Sequence, residues 1–438
     1  MKILKFGGTS VGSPERMNQV KDLITKDNDK KIVVLSAVSG TTNALVQINE
    51  SLYKKDKTDA SNQIEALYQK YEVFVEGLYS TEAGKQKGKE VVDTQFTIIR
   101  NVLSADFTDV EERLMLAQGE LISTQLFQHF LTEKGVQSEL LWALDFMSID
   151  ADDEPEVPAI SNKLKAILAE KPNTTIFITQ GYICMNHLNE VDNLKRGGSD
   201  YTASLVGAAG DASEVQIWTD IDGMHNNDPR VVDKTYPIAQ LSFDEAAELA
   251  YFGAKILHPA TIRPAQVKNI PVKLLNTMQP EAHGTVISTS SGSEEVKAVA
   301  AKDGITAIKI KSSRMLLAYG FLRKVFEIFE KHKTPVDMIT TSEIAVSLTI
   351  DDDTHLKDIK TELEKFSYVE IDTDLSIVCV VGNFKENKGI LGKVVNSLDQ
   401  IPMRMISYGG SNFNVSVVVK TKDKTDALKA INKGVFGL

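Results

Sequence analysis

The chain has 438 residues, which is enough for two or three domains with substantial cores. Its apolar content of 42% and charged content of 25% are ordinary for globular proteins, and a net charge of −11 argues against nucleic acid or an anionic membrane as a partner. The two cysteines, Cys184 and Cys379, follow no metal-ligand spacing, so we expect a reduced, cytoplasmic protein. We see no signal-peptide pattern and no apolar run long enough to cross a bilayer.

The chain opens with a predicted strand that leads into a turn rich in glycine and hydroxyl groups, "MKILKFGGTSVGS". Gly7 and Gly8 allow the backbone to approach a ligand closely, and exposed N–H groups there suit a phosphate. Lys5 adds a compact positive charge. The pattern is not a P-loop, because its lysine precedes the glycines. An ordinary glycine turn after a strand is the alternative explanation of this stretch.

Short apolar runs predict further buried strands, and helical patterns lie between them. The runs are "IVVL" from Ile32, "TIFITQG" from Thr175, "VQIWTD" from Val215 and "VKLL" from Val272. Spacings of three and four predict amphipathic helices around Ile64 and around Ile122. Strands alternating with helices predict an α/β domain, and the stretch from about 52 to 134 predicts a helical insertion on the sheet.

The composition changes at "STSSGSEE", Ser288 to Glu295, which is typical of a linker. Two similar segments follow, one from Gly320 and one from Gly389. Each runs Gly-x-Leu-x-Lys-Val into an amphipathic helix, then a turn with proline and two strands. They predict two β-α-β-β units that form a regulatory region. The expected domains are therefore a catalytic domain over 1–287, a linker over 288–295 and a tandem region over 296–438.

Several segments of the first domain combine glycine, hydroxyl and charge. They are "LSAVSGTTNAL", "LAQGELIST", "LKRGGSDYTASL", "WTDIDGMHNNDPR" and "FGAKILHPATI". Each has a structural alternative: a helix N-cap for Ser36 to Asn43, a solvated helix charge for Glu120, a mobile loop at Arg196, and turn residues for Asp220 and Asp222. Together they provide arginines, lysines and glycine–hydroxyl loops, which suit a polyphosphate and a small zwitterion.

In combination these motifs resemble the aspartate kinases of the amino-acid kinase family. The matching segments are "KFGGTSV" at Lys5, "RGGSDYTA" at Arg196, "WTDIDG" at Trp218, "DPR" at Asp228, "FGAKILHP" at Phe252 and "TTSE" at Thr340. The likeness spans essentially the whole chain and is closest to the lysine-regulated class. It implies an α/β amino-acid kinase fold, with a central, mostly parallel sheet between helices, followed by two ACT units of βαββ type. The first unit is expected over about 312–376. The second is expected over about 377–438, with the strand near 297–311. No homoserine dehydrogenase domain is expected after them.

The resemblance implies transfer of the γ-phosphoryl group of ATP to the side-chain carboxylate of L-aspartate, with Mg²⁺ accompanying ATP. This carboxylate is ionised at pH 7, so no general base is needed, and we expect catalysis by positioning and positive charge. The sequence shows no dedicated protein cage for a metal, and His258 is expected to be structural.

The implied site residues fall into three groups. The implied catalytic residues are Lys5, Arg196 and Asp200. The implied substrate-binding residues are Ser36, Thr42, Glu120, Arg196 and Ser199. The nucleotide positions are Lys5, Gly7, Gly8, Thr219, Asp220, His225, Arg230, Lys255 and Ile256.

The resemblance also implies an effector site for L-lysine in the first ACT unit and a homo-oligomer, a dimer or larger, formed through these units. The matching positions are Met315, Phe321, Leu322, Val336, Asp337, Ser342 and Glu343. Two residues depart from the family pattern. His225 stands where tyrosine is common, and Pro335 stands where serine is common. The first affects adenosine contacts, and the second affects the identity of the effector.

Two competing interpretations remain at this point. A non-catalytic ACT sensor with a degenerate kinase domain would not need Lys5, Glu120, Arg196 and Asp200 together. Another member of the family, such as a glutamate or uridylate kinase, would lack the N-terminal motif and the tandem C-terminal units.

Overall fold

The structure, a computed structural model, describes residues 1–195, 197–253, 259–290, 292, 294–311, 319–385 and 389–438. The chain divides into two compact units. The first consists of 1–224, 239–243 and 257–291, and the second of 225–238, 244–256 and 292–438. The sequence did not indicate that the segments 225–238 and 244–256 would group with the C-terminal residues. The domain boundaries expected from sequence remain a prediction.

The N-terminal part of the chain alternates strands and helices, as its hydrophobic pattern predicts. Its strands are β1 (Lys2–Phe6), β2 (Lys31–Leu35), β3 (Glu139–Leu141), β4 (Ile176–Gln180), β5 (Ile183–Met185), β6 (Val191–Asn193), β7 (Glu214–Thr219), β8 (Gln240–Ser242), β9 (Val272–Asn276) and β10 (Thr285–Ser288). Its helices are α1 (Pro14–Ile24), α2 (Thr41–Tyr53), α3 (Lys57–Leu78), α4 (Glu82–Val102), α5 (Asp109–Glu133), α6 (Ala143–Phe146), α7 (Val157–Glu170), α8 (Gly198–Ala209), α9 (Phe243–Tyr251) and α10 (Pro259–Val267).

The central sheet of the first unit has the order β3-β4-β2-β1-β7-β9-β10-β8. Neighbouring strands are parallel except for the antiparallel pair β9 and β10. Every residue of β2 and of β4 is buried, which is typical of parallel strands with both faces covered. The long helices α3, α4 and α5 fill the stretch for which we predicted a helical insertion. The carboxyl ends of β1, β2 and β4 therefore lie side by side at one edge of the sheet.

The second unit contains an antiparallel sheet of order β12-β13-β11-β14-β16-β15. Its strands are β11 (Val296–Lys311), β12 (Met338–Thr341), β13 (Ala345–Ile350), β14 (Tyr368–Gly382), β15 (Met403–Tyr408) and β16 (Asn414–Lys420). Its helices are α11 (Phe321–Lys331), α12 (Leu356–Leu363), α13 (Ile390–Ser397) and α14 (Lys424–Phe436). The predicted fold class, a mostly parallel sheet followed by ACT-type units, is confirmed.

The two predicted repeats are visible in how α11 and α13 begin. Gly320 and Gly389 precede these helices with φ angles of 82° and 94°, which a residue with a side chain rarely adopts. The long strands β11 and β14 pair along their length at the centre of the sheet, so both repeats share one sheet. Each repeat has its own apolar core, one around Val325 and the other around Val394. Among the described residues, no helix is both long and apolar enough to span a membrane.

Candidate active site

The glycine turn after β1 brings the backbone of this segment against the loop that follows β2. A Cβ atom added to Gly8 would lie 3.0 Å from the carbonyl oxygen of Ala37, which is closer than most real Cβ contacts. A Cβ atom on Gly7 would lie 3.4 Å from Lys5 Nζ, so the ammonium group of Lys5 lies over the turn. The turn therefore leaves open space along the backbone, beside the Lys5 ammonium group. Side chains at positions 7 and 8 would partly fill this space.

Lys5 forms an ion pair with Asp200. Its Nζ lies 2.7 Å from Asp200 Oδ1, and only 12% and 18% of the two side chains are exposed. Lys5 comes from β1, and Asp200 from the first turn of α8. The structure thus brings together two residues that the sequence predicted to be catalytic.

Helix α5 places the carboxylate of Glu120 inside the protein. The helix packs closely against the segment after β2, because a Cβ atom on Gly119 would lie only 2.7 Å from the Ala37 side chain. Glu120 is 4% exposed, and its Oε1 accepts a hydrogen bond of 3.2 Å from the Ala37 N–H. Burial raises the pKa of Glu120 to about 8, although the Ala37 bond and the charge of Lys5 act in the opposite direction. The alternative that Glu120 is a solvated helix charge is therefore wrong.

A hydroxyl pair lies at the ends of the neighbouring segments. Ser36 follows β2, and its Oγ donates a hydrogen bond of 2.9 Å to Ser199 Oγ in α8. The N-cap of α2 is Gly40, and no side chain caps this helix end. The expected alternative, that Ser36 to Asn43 cap a helix, therefore does not account for these hydroxyl groups.

The segments line an open cavity of about 420 Å³ at the carboxyl edge of the sheet. Its lining includes the predicted residues Gly8, Ser36, Thr42, Glu120 and Ser199. Glu120 Oε2 is buried and has no hydrogen-bond partner among the residues that the structure describes. A buried carboxylate oxygen without a partner is costly, so this oxygen is suited to a cationic ligand group. The cavity thus combines an unpartnered carboxylate oxygen, among the described residues, with hydroxyl groups.

Thr219 is the last residue of β7, the other neighbour of β1 in the sheet, and Asp220 follows it. The Gly7 N–H donates a weak hydrogen bond of 3.4 Å to the Trp218 carbonyl, so the glycine turn adjoins the end of β7. Thr219 Oγ1 donates to Asp220 Oδ1 at 3.1 Å. Both residues adjoin the turn but do not line the cavity described above.

Two predicted nucleotide residues, His225 and Arg230, belong to the second compact unit. His225 Nδ1 lies 2.8 Å from Thr235 Oγ1. Arg230 is 81% exposed and donates from Nε and Nη2 to the carboxylate of Asp228, at 2.9 and 2.8 Å. Its guanidinium is thus held in one orientation by its own loop.

Several predicted residues lie outside the described part of the chain, or in the second unit. Five of these residues lie outside the described part of the chain: Arg196, Lys255, Ile256, Met315, and His258, which we expected to be structural. Of the predicted effector residues, Phe321 is part of the apolar core and Val336 packs against it, whereas Leu322, Ser342 and Glu343 are exposed.

The side chain of Asp337, another predicted effector residue, is fully buried and already bound within the second unit. Its Oδ1 accepts from Tyr251 Oη at 2.8 Å and from Lys302 Nζ at 3.1 Å. Oδ2 is buried without a hydrogen-bond partner among the described residues. Burial raises the pKa of Asp337, although Tyr251 and Lys302 counteract this effect. One carboxylate oxygen is thus left to accept a further hydrogen bond.

Our sequence analysis missed Tyr182, which also lines the cavity. Tyr182 follows β4 and has a φ angle of 68°, which is strained for a bulky residue and frequent at functional sites. Its N–H donates to Thr202 Oγ1 at 2.9 Å, and its carbonyl accepts from the Leu194 N–H at 2.7 Å. Only its place at the end of a predicted strand, in "TQGY", could have indicated this role.

Comparison with known proteins agrees with this geometry. The amino acid kinase family model matches residues 1–276, and an ACT domain model matches residues 378–434. Lysine-sensitive aspartokinase 3 of Escherichia coli (strain K12) is 33% identical over 450 residues, which cover 99% of each chain. The structure of E. coli aspartokinase III with aspartate and ADP (R-state) matches with a TM-score of 0.85 at 32% identity, covering 100% of both chains. That of the same enzyme with lysine and aspartate (T-state) matches with a TM-score of 0.81 at 32% identity, covering 100% of this chain and 99% of that one.

Proposed function

The chain belongs to the amino acid kinase family and, within it, to the aspartokinases, and we propose that it phosphorylates the side-chain carboxylate of L-aspartate with ATP. The observation that carries this proposal is the buried Glu120 carboxylate, whose Oε2 has no partner among the described residues of the cavity. An amino-acid acceptor brings an ammonium group, which supplies the missing positive charge. The E. coli enzyme binds aspartate and ADP in its solved structure, which supports the same ligands here.

The cavity orients the acceptor by complementary charge and hydrogen bonds. Glu120 receives the ammonium group of the substrate. The hydroxyl groups of Ser36 and Ser199 donate to oxygen atoms of the substrate. Arg196, which the family resemblance assigns to a substrate carboxylate, completes the set, because a planar guanidinium can bind a carboxylate through two parallel bonds. The ammonium group and one carboxylate of aspartate are therefore held, and its side-chain carboxylate is free to react.

The glycine turn and Lys5 hold the phosphates of ATP. The backbone at Gly7 and Gly8 has room for phosphate oxygens where side chains would otherwise intrude, and Lys5 Nζ lies over this turn. Thr219, Asp220, His225, Arg230, Lys255 and Ile256 are the proposed contacts for the rest of the nucleotide. Mg²⁺ would be held mainly by phosphate oxygens and water, near the Asp200 carboxylate, and would neutralise phosphate charge.

In the reaction, a carboxylate oxygen of aspartate forms a bond to the γ-phosphorus as the bond to the β–γ bridging oxygen breaks. ADP leaves with that electron pair, and the product is 4-phospho-L-aspartate. No proton is transferred, because the nucleophile is already an anion. The task of the protein is to bring two anions together, so Lys5 and Arg196 contribute by positive charge and position.

We propose that L-lysine regulates the enzyme through the first ACT unit. The E. coli relative is named lysine-sensitive, and one of its structures contains lysine. Asp337 Oδ2 can accept from one lysine ammonium group, and Glu343 can accept from the other. The effector would also contact Met315, Leu322 and Ser342. Assembly through the ACT units, as a homodimer or larger, would bury the exposed Glu343 side chain.

We also propose a catalytic domain over 1–287, a linker over 288–295 and a tandem ACT region over 296–438. A cytoplasmic location is supported by Cys184 and Cys379, which are buried free thiols, because such thiols persist in a reducing compartment.

The test is an assay of ADP release coupled to a second enzyme, with L-aspartate, L-glutamate or UMP as acceptor. Release that depends on L-aspartate alone supports the proposal. Release with glutamate or UMP instead would identify another member of the family. No release with any acceptor, together with lysine binding, would favour the non-catalytic sensor. Adding lysine, threonine or methionine to the active enzyme then identifies the effector.

A further inference from the structure

In the first ACT-type repeat, two histidines and a carboxylate come together away from the candidate active site. One ligand atom each from His332, His355 and Asp358 lies within 4.8 Å of the other two. His332 ends α11, His355 is the N-cap of α12, and Asp358 is in the first turn of that helix. The rings of His332 and His355 have centroids 5.7 Å apart. These groups are half-buried or exposed, so an ion from solvent can reach them.

We propose that His332, His355 and Asp358 bind a divalent transition-metal cation of the Zn²⁺ class. Zn²⁺ binds imidazole nitrogen and carboxylate oxygen at about 2.0–2.2 Å, so its tetrahedral ligand atoms are roughly 3.3 Å apart. The separations, all within 4.8 Å, exceed this value by at most about 1.5 Å, and we expect rotation of these half-buried and exposed side chains to close that difference. Water would complete the coordination. Two imidazoles with one carboxylate favour zinc-like ions over Mg²⁺ or Ca²⁺, which prefer oxygen ligands.

Glu362 supports this assignment, because it holds His332 in the way that outer carboxylates hold metal-bound histidines. Its Oε1 lies 2.9 Å from His332 Nε2, so the neutral tautomer with its proton on Nε2 donates to Glu362 and leaves the Nδ1 lone pair for a cation. The C-terminal end of α11 at His332 also favours a cation, because the helix dipole is negative there. Lys331 Nζ also lies 2.7 Å from Glu362 Oε1, but the Lys331 side chain is 64% exposed and can turn towards water.

A bound cation would join the end of α11 to the start of α12. Both helices cover the same core, which includes Val325 and Ile359. The sequence did not indicate this site, because His332 and the pair of His355 and Asp358 come from different helices. The proposal is independent of the kinase activity, since none of these residues belongs to the candidate active site.

The experiment is calorimetric titration of the tag-free, full-length protein with Zn²⁺ in the absence of nucleotide, repeated with Co²⁺ to record its visible absorption. We expect one ion per chain in the micromolar range or tighter, and Co²⁺ bands of a tetrahedral site. His355→Gln and Asp358→Asn should each weaken binding at least tenfold, and Glu362→Gln by about 10–100-fold. His187→Gln, which changes an exposed histidine of the first unit, is the matched control and should bind as the wild type does.

Unchanged Zn²⁺ affinity in both His355→Gln and Asp358→Asn would overturn the proposal, as would the absence of any saturable binding to the wild type. A far-UV circular dichroism spectrum and a thermal unfolding midpoint like those of the wild type verify that each variant is folded. A variant that loses Zn²⁺ binding but keeps both therefore supports the site.

Discussion

The ammonium group of Lys5 lies 2.7 Å from the carboxylate of Asp200, and this ion pair joins β1 to the first turn of α8. Without nucleotide, Asp200 neutralises the charge that the phosphates would use. ATP binding must therefore draw Lys5 towards the phosphates, or bring a cation that Asp200 can also approach. Whether the Lys5 ammonium group is available to phosphate therefore depends on whether ATP or a cation is bound.

Lys5→Ala should lower kcat by roughly a hundredfold or more, because it removes a positive charge that contacts the transferring group. The thermal unfolding midpoint should change little. Lys2→Ala is the matched control, since Lys2 lies on the same strand and pairs with Asp27 and Asp29. Steady-state kinetics of the purified variants measure the effect, and a kcat close to that of Lys2→Ala would contradict the phosphate role.

Glu120→Gln should impair the use of aspartate much more than the binding of nucleotide. Loss of a buried charge partner costs about 2–5 kcal/mol, which corresponds to roughly thirtyfold or more in the aspartate KM. The Kd for ATP, measured directly, should not change. Glu72→Gln, which removes an exposed carboxylate of α3, is the control. Equal losses for both ligands in the folded Glu120 variant would show that our assignment is wrong.

The raised pKa of Glu120, about 8 instead of 4.5, makes stability depend on pH. Between these two values the folded protein binds more protons than the unfolded protein, so the free energy of unfolding falls as pH rises. The stabilising contribution is fully present below 4.5 and is lost as pH passes through about 8.

We therefore expect the unfolding midpoint of the ligand-free wild type to fall, relative to that of Glu120→Gln, from about pH 5 to about pH 9. Aspartate binding should release a proton in this window, because an ammonium group favours the ionised carboxylate. The aspartate KM should accordingly decrease as pH rises towards 8. Parallel unfolding curves for the two proteins at every pH would exclude this explanation.

Lys302→Met should destabilise the second unit, because it leaves the buried Asp337 carboxylate without its cation. Breaking one side of a buried pair costs about 3–5 kcal/mol. The double variant Lys302→Met/Asp337→Asn should recover most of the lost unfolding midpoint, since no buried charge is then left unpaired. The other partner of Lys302, Asp351, is 34% exposed and can be solvated by water. Thermal unfolding of the wild type, of the single variants Lys302→Met and Asp337→Asn, and of the double variant measures this coupling. Additive effects of the two substitutions would mean that the ion pair has no energetic role.

Glu343→Ala should leave catalysis intact and shift the midpoint of lysine inhibition. Glu343 is exposed in the single chain, and an exposed ion pair is worth about 1 kcal/mol or less, a factor of roughly five. A shift of roughly tenfold or more would therefore mean that assembly buries the site. Glu327→Ala, on the exposed face of α11, is the control. An unchanged midpoint in Glu343→Ala would remove this residue from the effector site.

The sequence predicted the parallel sheet well, because its strands are continuous apolar runs. All five residues of β2 are buried, as both covered faces of a central strand require. The absence of such runs between β2 and β3 correctly predicted helices. Glu120 was harder to place, because every residue from Met115 to Thr124 of α5 is buried. A helix surrounded by protein has no solvent face from which the burial of one carboxylate could be inferred.

Long-range contacts account for what sequence reasoning could not predict. The grouping of residues 225–238 with the C-terminal unit depends on contacts such as Asn227 Nδ2 donating to the Leu428 carbonyl at 3.1 Å. The partners of Asp337 come from two distant segments, at Tyr251 and Lys302. The strained backbone of Tyr182 is likewise set by Thr202 and Leu194. No local pattern encodes these pairings, since each joins residues far apart in the chain.

The shared strand β11 also sets the order in which the regulatory half can form during synthesis. Its first part contributes Val299 to the core of the second repeat, and its last part contributes Ile308 and Ile310 to the core of the first. The partners of Val299 in β16 and α14 follow the first repeat in the chain, so they leave the ribosome after it. The first repeat can therefore close early, whereas the second stays open until α14 has been synthesised. A nonsense codon at the start of α14 would consequently leave one repeat closed and the apolar core of the other uncovered, because Ala427, Leu428 and Ile431 of α14 pack into that core.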